Sequence, residues 1–304
     1  MPGVGVDDAP LLLATMPGLR LRRERTGAAS ERARADVAAS TAEAIAGIEL
    51  PSDARAAAFF DLDNTVLRGA SLFYLARGMY QRGLLRTSDI LRFGRQQLQF
   101  ALGAEDPDHI VEARAAALSF IAGRSVEELS RVGEEIFEQL MADKLWPGTQ
   151  AIAQLHIDQG QRVWLVTAAP VEVATIIARR LGLTGALGTV AEHVDGYYTG
   201  RLVGDLLHGA DKAAAVTSLA VREGLDLRRC SAYSDSANDI PMLSLVGFPC
   251  AVNPDRKLRR HARKRGWRIR DYRARRRNTT LGIAAGTGAV AGAAVGIVAA
   301  RKRR

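Results

Sequence analysis

Cysteine is nearly absent from this 304-residue sequence, which contains only Cys230 and Cys250. Neither belongs to a Cys-x-x-Cys pair and both lie in apolar stretches, so we expect two buried free thiols in a reducing compartment and no disulfide framework. Histidine is also scarce, and its spacing fits no zinc-ligand pattern. The five residues are His109, His156, His193, His208 and His261.

Acidic residues are almost missing from the end of the chain. Residues 255–304 contain 17 of the 42 Lys and Arg residues but only two of the 33 acidic ones, Asp255 and Asp271. This tail therefore carries a charge of +15, whereas residues 1–254 carry −6, and the overall +9 describes neither part. This charge asymmetry bears on what the tail binds and says nothing about how the chain folds.

Short apolar runs alternate with helical patterns between residues 56 and 254. We interpret residues 56–60, 162–166, 230–233 and 248–252 as strands and the longer segments between them as mainly helical. This alternation indicates an α/β fold, in which a Rossmann-like parallel sheet carries helices on both faces. The helical block after the first strand is predicted to form a cap above the carboxyl edge of the sheet, where ligands bind in such folds.

Two local patterns place turns and helix ends within this scheme. Asp195-Gly196 lies between strand-like flanks and predicts a β-hairpin. Ser125 followed by Glu128 predicts a capping box at the start of a helix.

Four aspartates follow the predicted strands. Asp61 and Asp63 come directly after the first strand, and Asp235 and Asp239 follow a later one. Grouping carboxylates at one sheet edge is unfavourable unless a cation compensates their charge, and hard oxygen ligands favour Mg²⁺. The alternative is that each is an ordinary loop or helix-cap aspartate.

Four motifs, in chain order, resemble those of the haloacid-dehalogenase superfamily. They are Asp61-Leu62-Asp63-Asn64-Thr65, Thr167, Lys212 and Ser234-Asp235-Ser236-Ala237-Asn238-Asp239. The helical insertion, residues 195–202 and residues 238–243 resemble the phosphoserine-phosphatase-like subfamily IB, which has a C1 cap. Across its full length the chain also resembles actinobacterial proteins described as inhibition of morphological differentiation proteins, a name that supplies no substrate.

The resemblance implies a Mg²⁺-dependent phosphomonoester hydrolase of small phosphorylated metabolites. Asp61 would be the nucleophile and Asp63 the acid and base, with Thr167 and Lys212 completing the catalytic set. The implied Mg²⁺ site is formed by Asp61, Asp63, Asp235 and Asp239. The implied substrate-binding residues are Thr167, Ala168, Lys212 and Asn238. For Thr167, Lys212 and Asn238, the alternatives are a helix cap, a solvated lysine and a turn residue.

Three departures from the subfamily pattern put phosphoserine in doubt as the substrate. The second motif reads Thr167-Ala168-Ala169-Pro170 where Ser-Gly-Gly is usual, and Pro170 has no amide hydrogen. Residues 68–71 contain no acid, and Ser234 and Ser236 stand where glycines are usual. Arg68, Tyr74, Arg77 and Arg124 are candidate specificity residues of the cap, against the simpler interpretation of solvated surface groups.

The last part of the chain resembles a membrane anchor. Residues 281–300 carry no charge and as a helix would span about 30 Å, and glycines recur at four-residue spacing. The predicted segments are a disordered or helical lead (1–54), a core domain (55–67 and 147–255), a helical cap (68–146), a basic linker (256–280) and a membrane-spanning or membrane-associated helix (281–300). A flexible tail and a helix packed on the body are the alternatives.

Two classes of function remain open at this point. The first is the phosphatase, with a cytoplasmic catalytic domain anchored to the inner face of the membrane. The second is a regulatory protein that retains the fold and binds a partner, a membrane or nucleic acid through its basic tail. Nucleic acid is the less favoured partner because no aromatic-studded surface accompanies residues 256–277. The oligomeric state is left open.

Overall fold

The computed structural model describes residues 52–85 and 120–273, together with residues 48, 50 and 118. A parallel six-stranded sheet runs through this part of the chain in the order β3-β2-β1-β6-β7-β8. Its strands are β1 Ala57–Phe60, β2 Arg162–Pro170, β3 Gly185–Thr189, β6 Ser231–Ser234, β7 Phe248–Val252 and β8 Arg268–Arg270. A separate antiparallel hairpin consists of β4 Ala191–Val194 and β5 Tyr197–Leu202.

Helices cover both faces of the sheet, which confirms the predicted α/β class. Seven α-helices lie in the described ranges: α1 Ser71–Gln81, α2 Val126–Ile136, α3 Pro147–Asp158, α4 Val171–Arg180, α5 Ala210–Glu223, α6 Ile240–Leu245 and α7 Arg256–Arg265. Ala58 and Phe60 of β1 pack into the apolar cluster on one face, and Ala57 and Phe59 pack into the cluster on the other. Burial on both faces explains why β1 is an uninterrupted apolar run.

Two sheet strands were not predicted from the sequence. In β3, Gly185 lies against the Trp164 ring, so closely that an added Cβ would be 2.6 Å from it, and the glycine-rich strand lacks a β-branched pattern. In β8, Ile269 lies between two arginines of a basic run and packs against the apolar cluster that contains Phe59. Close packing and a single apolar contact, rather than strand propensity, define these two strands.

The predicted hairpin turn agrees with the structure, and so does the Ser125 half of the predicted capping box. Asp195 and Gly196 have φ values of 51° and 82°, the left-handed pair that a tight hairpin requires. Ser125 caps α2, and its hydroxyl oxygen accepts a hydrogen bond from the Glu128 amide at 3.4 Å.

The cap joins the core through two adjacent linkers. Leu67 and Leu145 form an antiparallel bridge, and the Arg68 amide donates to the carbonyl of Lys144 at 2.8 Å. The Arg68 guanidinium donates to the carbonyls of Asp143 and Lys144 and lies over the Trp146 ring. Arg68, one of the candidate specificity residues, is therefore engaged in the hinge between cap and core.

The segment predicted as a basic linker begins as part of the fold. Helix α7 is anchored by its buried residues Leu258 and Ala262, and β8 extends the sheet beside β7. The charged sequence concealed this amphipathic helix because its apolar stripe is only two residues wide. The folded part therefore reaches at least residue 273, beyond the predicted boundary at 255.

Several predictions fall on residues outside the described ranges. They concern nearly all of the N-terminal lead, the cap between residues 86 and 117, and the uncharged run 281–300. None of the helices in the described ranges has the length and apolarity needed to cross a bilayer. The membrane anchor at residues 281–300 stays a prediction.

Candidate active site

Asp61 lies at the carboxyl edge of the sheet. It follows β1 directly, and its amide donates to the carbonyl of Tyr233 in β6 at 2.9 Å, so strand pairing fixes its position. Its buried carboxylate accepts hydrogen bonds from Lys212 Nζ at 2.6 Å through Oδ1 and from Thr65 Oγ1 at 3.1 Å through Oδ2. Burial raises the pKa of Asp61 to about 7 against the opposing charge of Lys212, and neighbouring carboxylates add to the increase.

Lys212 connects two of the predicted site carboxylates. It lies in the first turn of α5, is only 4% exposed, and places Nζ 2.6 Å from Asp61 Oδ1 and 2.9 Å from Asp239 Oδ2. Burial disfavours its charge, but the two carboxylates outweigh that effect and raise the pKa of Lys212 above its usual value. The ammonium group is therefore a fixed positive charge at the site.

Asp63 is held by the first turn of the cap helix α1. Its Oδ1 accepts a hydrogen bond from the Ser71 amide at 2.8 Å. Burial raises the pKa of Asp63, and the Ser71 amide, the nearby Ser71 hydroxyl and Lys212 oppose that increase. The Ser71 hydroxyl is itself buried and makes no hydrogen bond with a described residue. The predicted acid and base thus depends on the cap for its position.

The loop after β6 carries the other two carboxylates. Asp239 is buried and accepts a hydrogen bond from Ser234 Oγ at 2.7 Å. Burial, together with the charges of Asp61 and Asp239, raises the pKa of Asp235 to about 8. Asp255 holds this loop, because its amide donates to the carbonyl of Asp235 at 2.8 Å and its carboxylate accepts from the Ala237 amide at 2.7 Å.

The residues of the second motif lie in the last part of β2. Thr167 is buried, and its Oγ1 accepts a hydrogen bond from the Ala169 amide at 3.1 Å, which leaves the hydroxyl proton free to be donated. The Ala168 carbonyl is held by Thr189 Oγ1 at 2.8 Å. Half-buried Asn238 lies in the turn before Asp239, where its backbone amide donates to Ser236 Oγ.

The four predicted metal-site aspartates influence one another. The pKa of Asp61 is raised by Asp63 and Asp239, and that of Asp235 by Asp61 and Asp239. The side chain of Asp235 accepts no hydrogen bond from a described residue. A divalent cation would relieve this repulsion, so the donor set suits the hard cation that the sequence predicts.

Among the described residues, the side chains do not form a closed cage around the expected Mg²⁺ position. Across residues 52–85 and 120–273, no three Asp, Glu, His or Cys side chains converge closely enough to enclose an ion. Mg²⁺ usually takes only one or two carboxylates and completes its shell with waters and substrate phosphate. The carboxylates of Asp61 and Asp235 suit such an open site, and Asp239 is held near them by Lys212.

Several supporting residues were not predicted from the sequence. Thr65 orients Asp61, Ser234 orients Asp239, Ser71 holds Asp63 and Asp255 holds the Asp235 loop. Thr65 and Ser234 belong to the quoted motifs, so their hydroxyls could have been considered. No sequence signal connects Ser71 or Asp255 with the site.

Among the described residues, no histidine or cysteine side chain forms a hydrogen bond with the four aspartates, Thr167 or Lys212. His156 is buried between Gln161 and Tyr233, with ring nitrogens 2.7 and 2.8 Å from their side-chain oxygens. Burial lowers the pKa of His156 to about 4. Both cysteines are free and buried, as predicted.

Comparison with known proteins supports the resemblance. The sequence model of the haloacid dehalogenase-like hydrolase family matches residues 58–244. Phosphoserine phosphatase SerB1 from Mycobacterium tuberculosis is 52% identical over 272 residues, covering 88% of both chains. The inhibition of morphological differentiation protein from Streptomyces azureus is 37% identical over 259 residues, covering 84% of this chain and 93% of that protein.

A solved structure shows the same fold. The crystal structure of a protein of unknown function from Bordetella pertussis Tohama I matches with a TM-score of 0.64 at 30% identity, and the match covers 71% of this chain and 98% of that one. The family match extends over more than half of the sequence and contains every predicted site residue from Asp61 to Asp239. The chain therefore belongs to the haloacid dehalogenase-like hydrolase family.

Proposed function

We propose that the protein is a Mg²⁺-dependent phosphatase that hydrolyses a small phosphate monoester through an aspartyl-phosphate on Asp61. The observation that carries this proposal is the position of Lys212 between Asp61 and Asp239, with Asp63 beside them. Phosphoryl transfer mainly requires a positioned nucleophile and neutralised charge, and this arrangement offers both.

The first half-reaction forms a bond between Asp61 and phosphorus. A carboxylate oxygen of Asp61 attacks the phosphorus while the bond to the leaving oxygen breaks, and Asp63 gives that oxygen a proton. The free hydroxyl proton of Thr167 is donated to a phosphoryl oxygen. Lys212 balances the negative charge. A bound Mg²⁺ would neutralise phosphoryl charge and lower the pKa of Asp61, which favours the ionised nucleophile.

The second half-reaction returns the enzyme to its starting state. Asp63, now a carboxylate, takes a proton from water as the water oxygen attacks phosphorus. The bond between phosphorus and Asp61 breaks, inorganic phosphate leaves, and Asp61 regains its free carboxylate. The same acid and base serves both steps because Ser71 keeps it beside the nucleophile.

A regulatory protein without catalysis is the alternative. Such a protein would gain nothing from a buried lysine shared by two carboxylates, an arrangement that is expensive to desolvate. It would also have no use for an acid two residues after a buried carboxylate whose pKa is raised. The site geometry therefore favours the enzyme.

The proposed substrate class is a small phosphate ester, and the structure bears on whether that ester is O-phosphoserine. The name of the Mycobacterium tuberculosis relative makes O-phosphoserine the first ester to examine. The end of β2 after Thr167 offers little to the carboxylate of O-phosphoserine, because the Ala169 amide is already bonded to Thr167 and Pro170 has no amide hydrogen. We therefore propose an ester whose alcohol part is recognised by the cap.

The test is hydrolysis of p-nitrophenyl phosphate by wild type and Asp61→Asn, with Mg²⁺ and with excess chelator. We expect wild type to require Mg²⁺ and Asp61→Asn to lose at least about a thousandfold in kcat, since no other described carboxylate accepts hydrogen bonds from both Lys212 and Thr65. Asp158→Asn, a change on the surface of α3, is the matched control. Equal release of phosphate by wild type and Asp61→Asn would refute the proposal.

Membrane association through residues 281–300 is a separate proposal. Its support is the uncharged run itself and the basic residues on both sides of it. Membrane fractionation of the full chain beside a variant that ends at residue 280 tests it. In membranes washed with high salt, which screens charge contacts, we expect the full chain in the membrane fraction and the shortened chain in the supernatant, and equal partitioning of the two would contradict the anchor.

A further inference from the structure

Helix α7 presents a cationic surface that belongs to the folded core. Residues 255–273 contain ten Lys and Arg residues and two Asp residues. Leu258 and Ala262 fix the helix to the sheet, so its outward side chains have a defined arrangement. The basic surface comprises six exposed residues: Arg256, Lys257, Arg260, Arg263, Lys264 and Arg265. Within the described ranges, none of the six forms an ion pair with an acidic residue.

The helix does not need this charge for its own stability. Arg256 and Lys257 occupy the first turn, where the helix dipole favours anions over cations. Arg260 lies four residues from both Arg256 and Lys264, so like charges face one another along one stripe and repel. Only the cations of the last turn suit the dipole. An anion that binds to this surface would offset the repulsion, and such binding explains why the helix carries these charges.

The neighbouring features favour a lipid surface as that anion. Phe248 is 56% exposed at the start of β7, the edge of the sheet where α7 ends and β8 begins. Exposed aromatic side chains beside cations suit the headgroup region of a bilayer. Beyond residue 273 the sequence continues with three arginines at 275–277 and then the uncharged run 281–300.

Nucleic acid fits the same surface less well. Helix α7 carries no Asn, Gln, Ser or Thr, the neutral side chains that accompany Arg and Lys in contacts with phosphates and bases. Trp267, the aromatic residue next to the helix, is half-buried and packs against the core and His261 instead of offering a face for stacking.

We propose that the basic surface docks the protein on an anionic lipid bilayer, with Phe248 at the level of the headgroups. This contact is separate from the catalytic site and from the anchor predicted at residues 281–300. It would hold the folded domain against the membrane by many weak charge contacts, which salt screens.

The test uses the full-length protein and sedimentation with vesicles. One set contains phosphatidylglycerol and phosphatidylcholine, and the other contains phosphatidylcholine alone. The surface variant combines Arg256→Gln, Arg260→Gln and Lys264→Gln. The matched control combines Arg131→Gln, Arg222→Gln and Arg228→Gln, which remove the same charge from exposed positions elsewhere.

We expect the surface variant to bind the anionic vesicles about a hundredfold more weakly than wild type, since each cation near such a surface contributes about a factor of five. The control triple should bind like wild type, and both triples should hydrolyse a soluble ester normally, which shows that they fold. Phe248→Ser should weaken vesicle binding several-fold.

Four results would overturn the proposal. The first is equal vesicle binding by the surface variant and wild type, and the second is an equal loss of vesicle binding in the surface and control triples. The third is wild-type binding of the same strength to anionic and to phosphatidylcholine vesicles. The fourth is that wild type binds no vesicles but binds an oligonucleotide, and that the surface variant loses this oligonucleotide binding. The last result would assign the surface to nucleic acid. None of these outcomes depends on whether Asp61 is the nucleophile, because the assay measures binding alone.

Discussion

Replacing Ser71 by proline would remove the hydrogen bond that joins the cap to Asp63, the proposed acid and base. Ser71 is the first residue of α1, where an amide has no partner within the helix and proline is well tolerated. The preceding Ala70 has φ −90° and ψ 127°, which suits a residue before proline. The change therefore preserves the helix but removes the donor that lies 2.8 Å from Asp63 Oδ1.

The magnitude follows from the type of hydrogen bond that is lost. A hydrogen bond to a charged group contributes about 1.5–3 kcal/mol, and the proline ring takes the place of the hydrogen, so the Asp63 carboxylate also has to move. We expect kcat to fall about 10- to 150-fold with a smaller change in KM. The loss should be greater for an alkyl phosphate than for p-nitrophenyl phosphate, whose leaving group needs little help from an acid.

Two variants control for other effects of the substitution. Ser71→Ala keeps the amide and should retain most of the activity. Arg256→Pro places proline at the same helical position of α7, after Asp255 with φ −62° and ψ 172°, and should leave kcat unchanged. The reasoning fails if Ser71→Pro retains wild-type kcat with both esters, or if Arg256→Pro reduces kcat equally.

Two further predictions concern buried charges. Because the pKa of His156 is about 4 in the folded state and about 6.5 in the unfolded state, protonation favours unfolding as the pH falls. The free energy of unfolding should therefore lose about 2 kcal/mol through this group between pH 7 and pH 5. Urea titrations at several pH values should show that loss in wild type but not in His156→Gln. The same change in the free energy of unfolding with pH in both proteins would contradict the prediction. Lys212→Met should abolish activity and reduce stability by about 3 kcal/mol or more in thermal unfolding, because it leaves Asp61 and Asp239 without their shared cation. Adding Asp239→Asn should recover stability but not activity, and a single variant as stable as wild type would refute this explanation.

The proximity of Asp61 and Asp235 could be predicted from the sequence. Asp61, Thr167 and Asp235 each lie in or just after the last part of an apolar run, and the carboxyl ends of parallel strands share one edge of a sheet. Local strand patterns and one topological rule were sufficient to bring residues together that are more than one hundred positions apart. The long helical insertion likewise indicated a cap.

The supporting contacts could not be predicted in this way. Ser71 contacts Asp63 only because α1 begins close to the end of β1, and Asp255 contacts the Asp235 loop only because β7 lies next to β6. Such contacts depend on how elements meet rather than on what each sequence prefers. The same reason explains why β8 was not predicted. Its single apolar residue, Ile269, forms no strand pattern of its own, and the strand is defined by its pairing with β7.

In the proposed mechanism, the core and the cap have different roles. Asp61 and Lys212 belong to the core, which in the proposed mechanism offers the same phosphoryl site to any ester that can reach it. Asp63 follows β1 in the core, but its carboxylate is oriented by the first amide of the cap. In the proposed mechanism, proton transfer to the leaving alcohol therefore depends on the position of α1. An alcohol that displaced this helix would disturb its own protonation, so the cap can discriminate between substrates through the acid as well as through direct contacts.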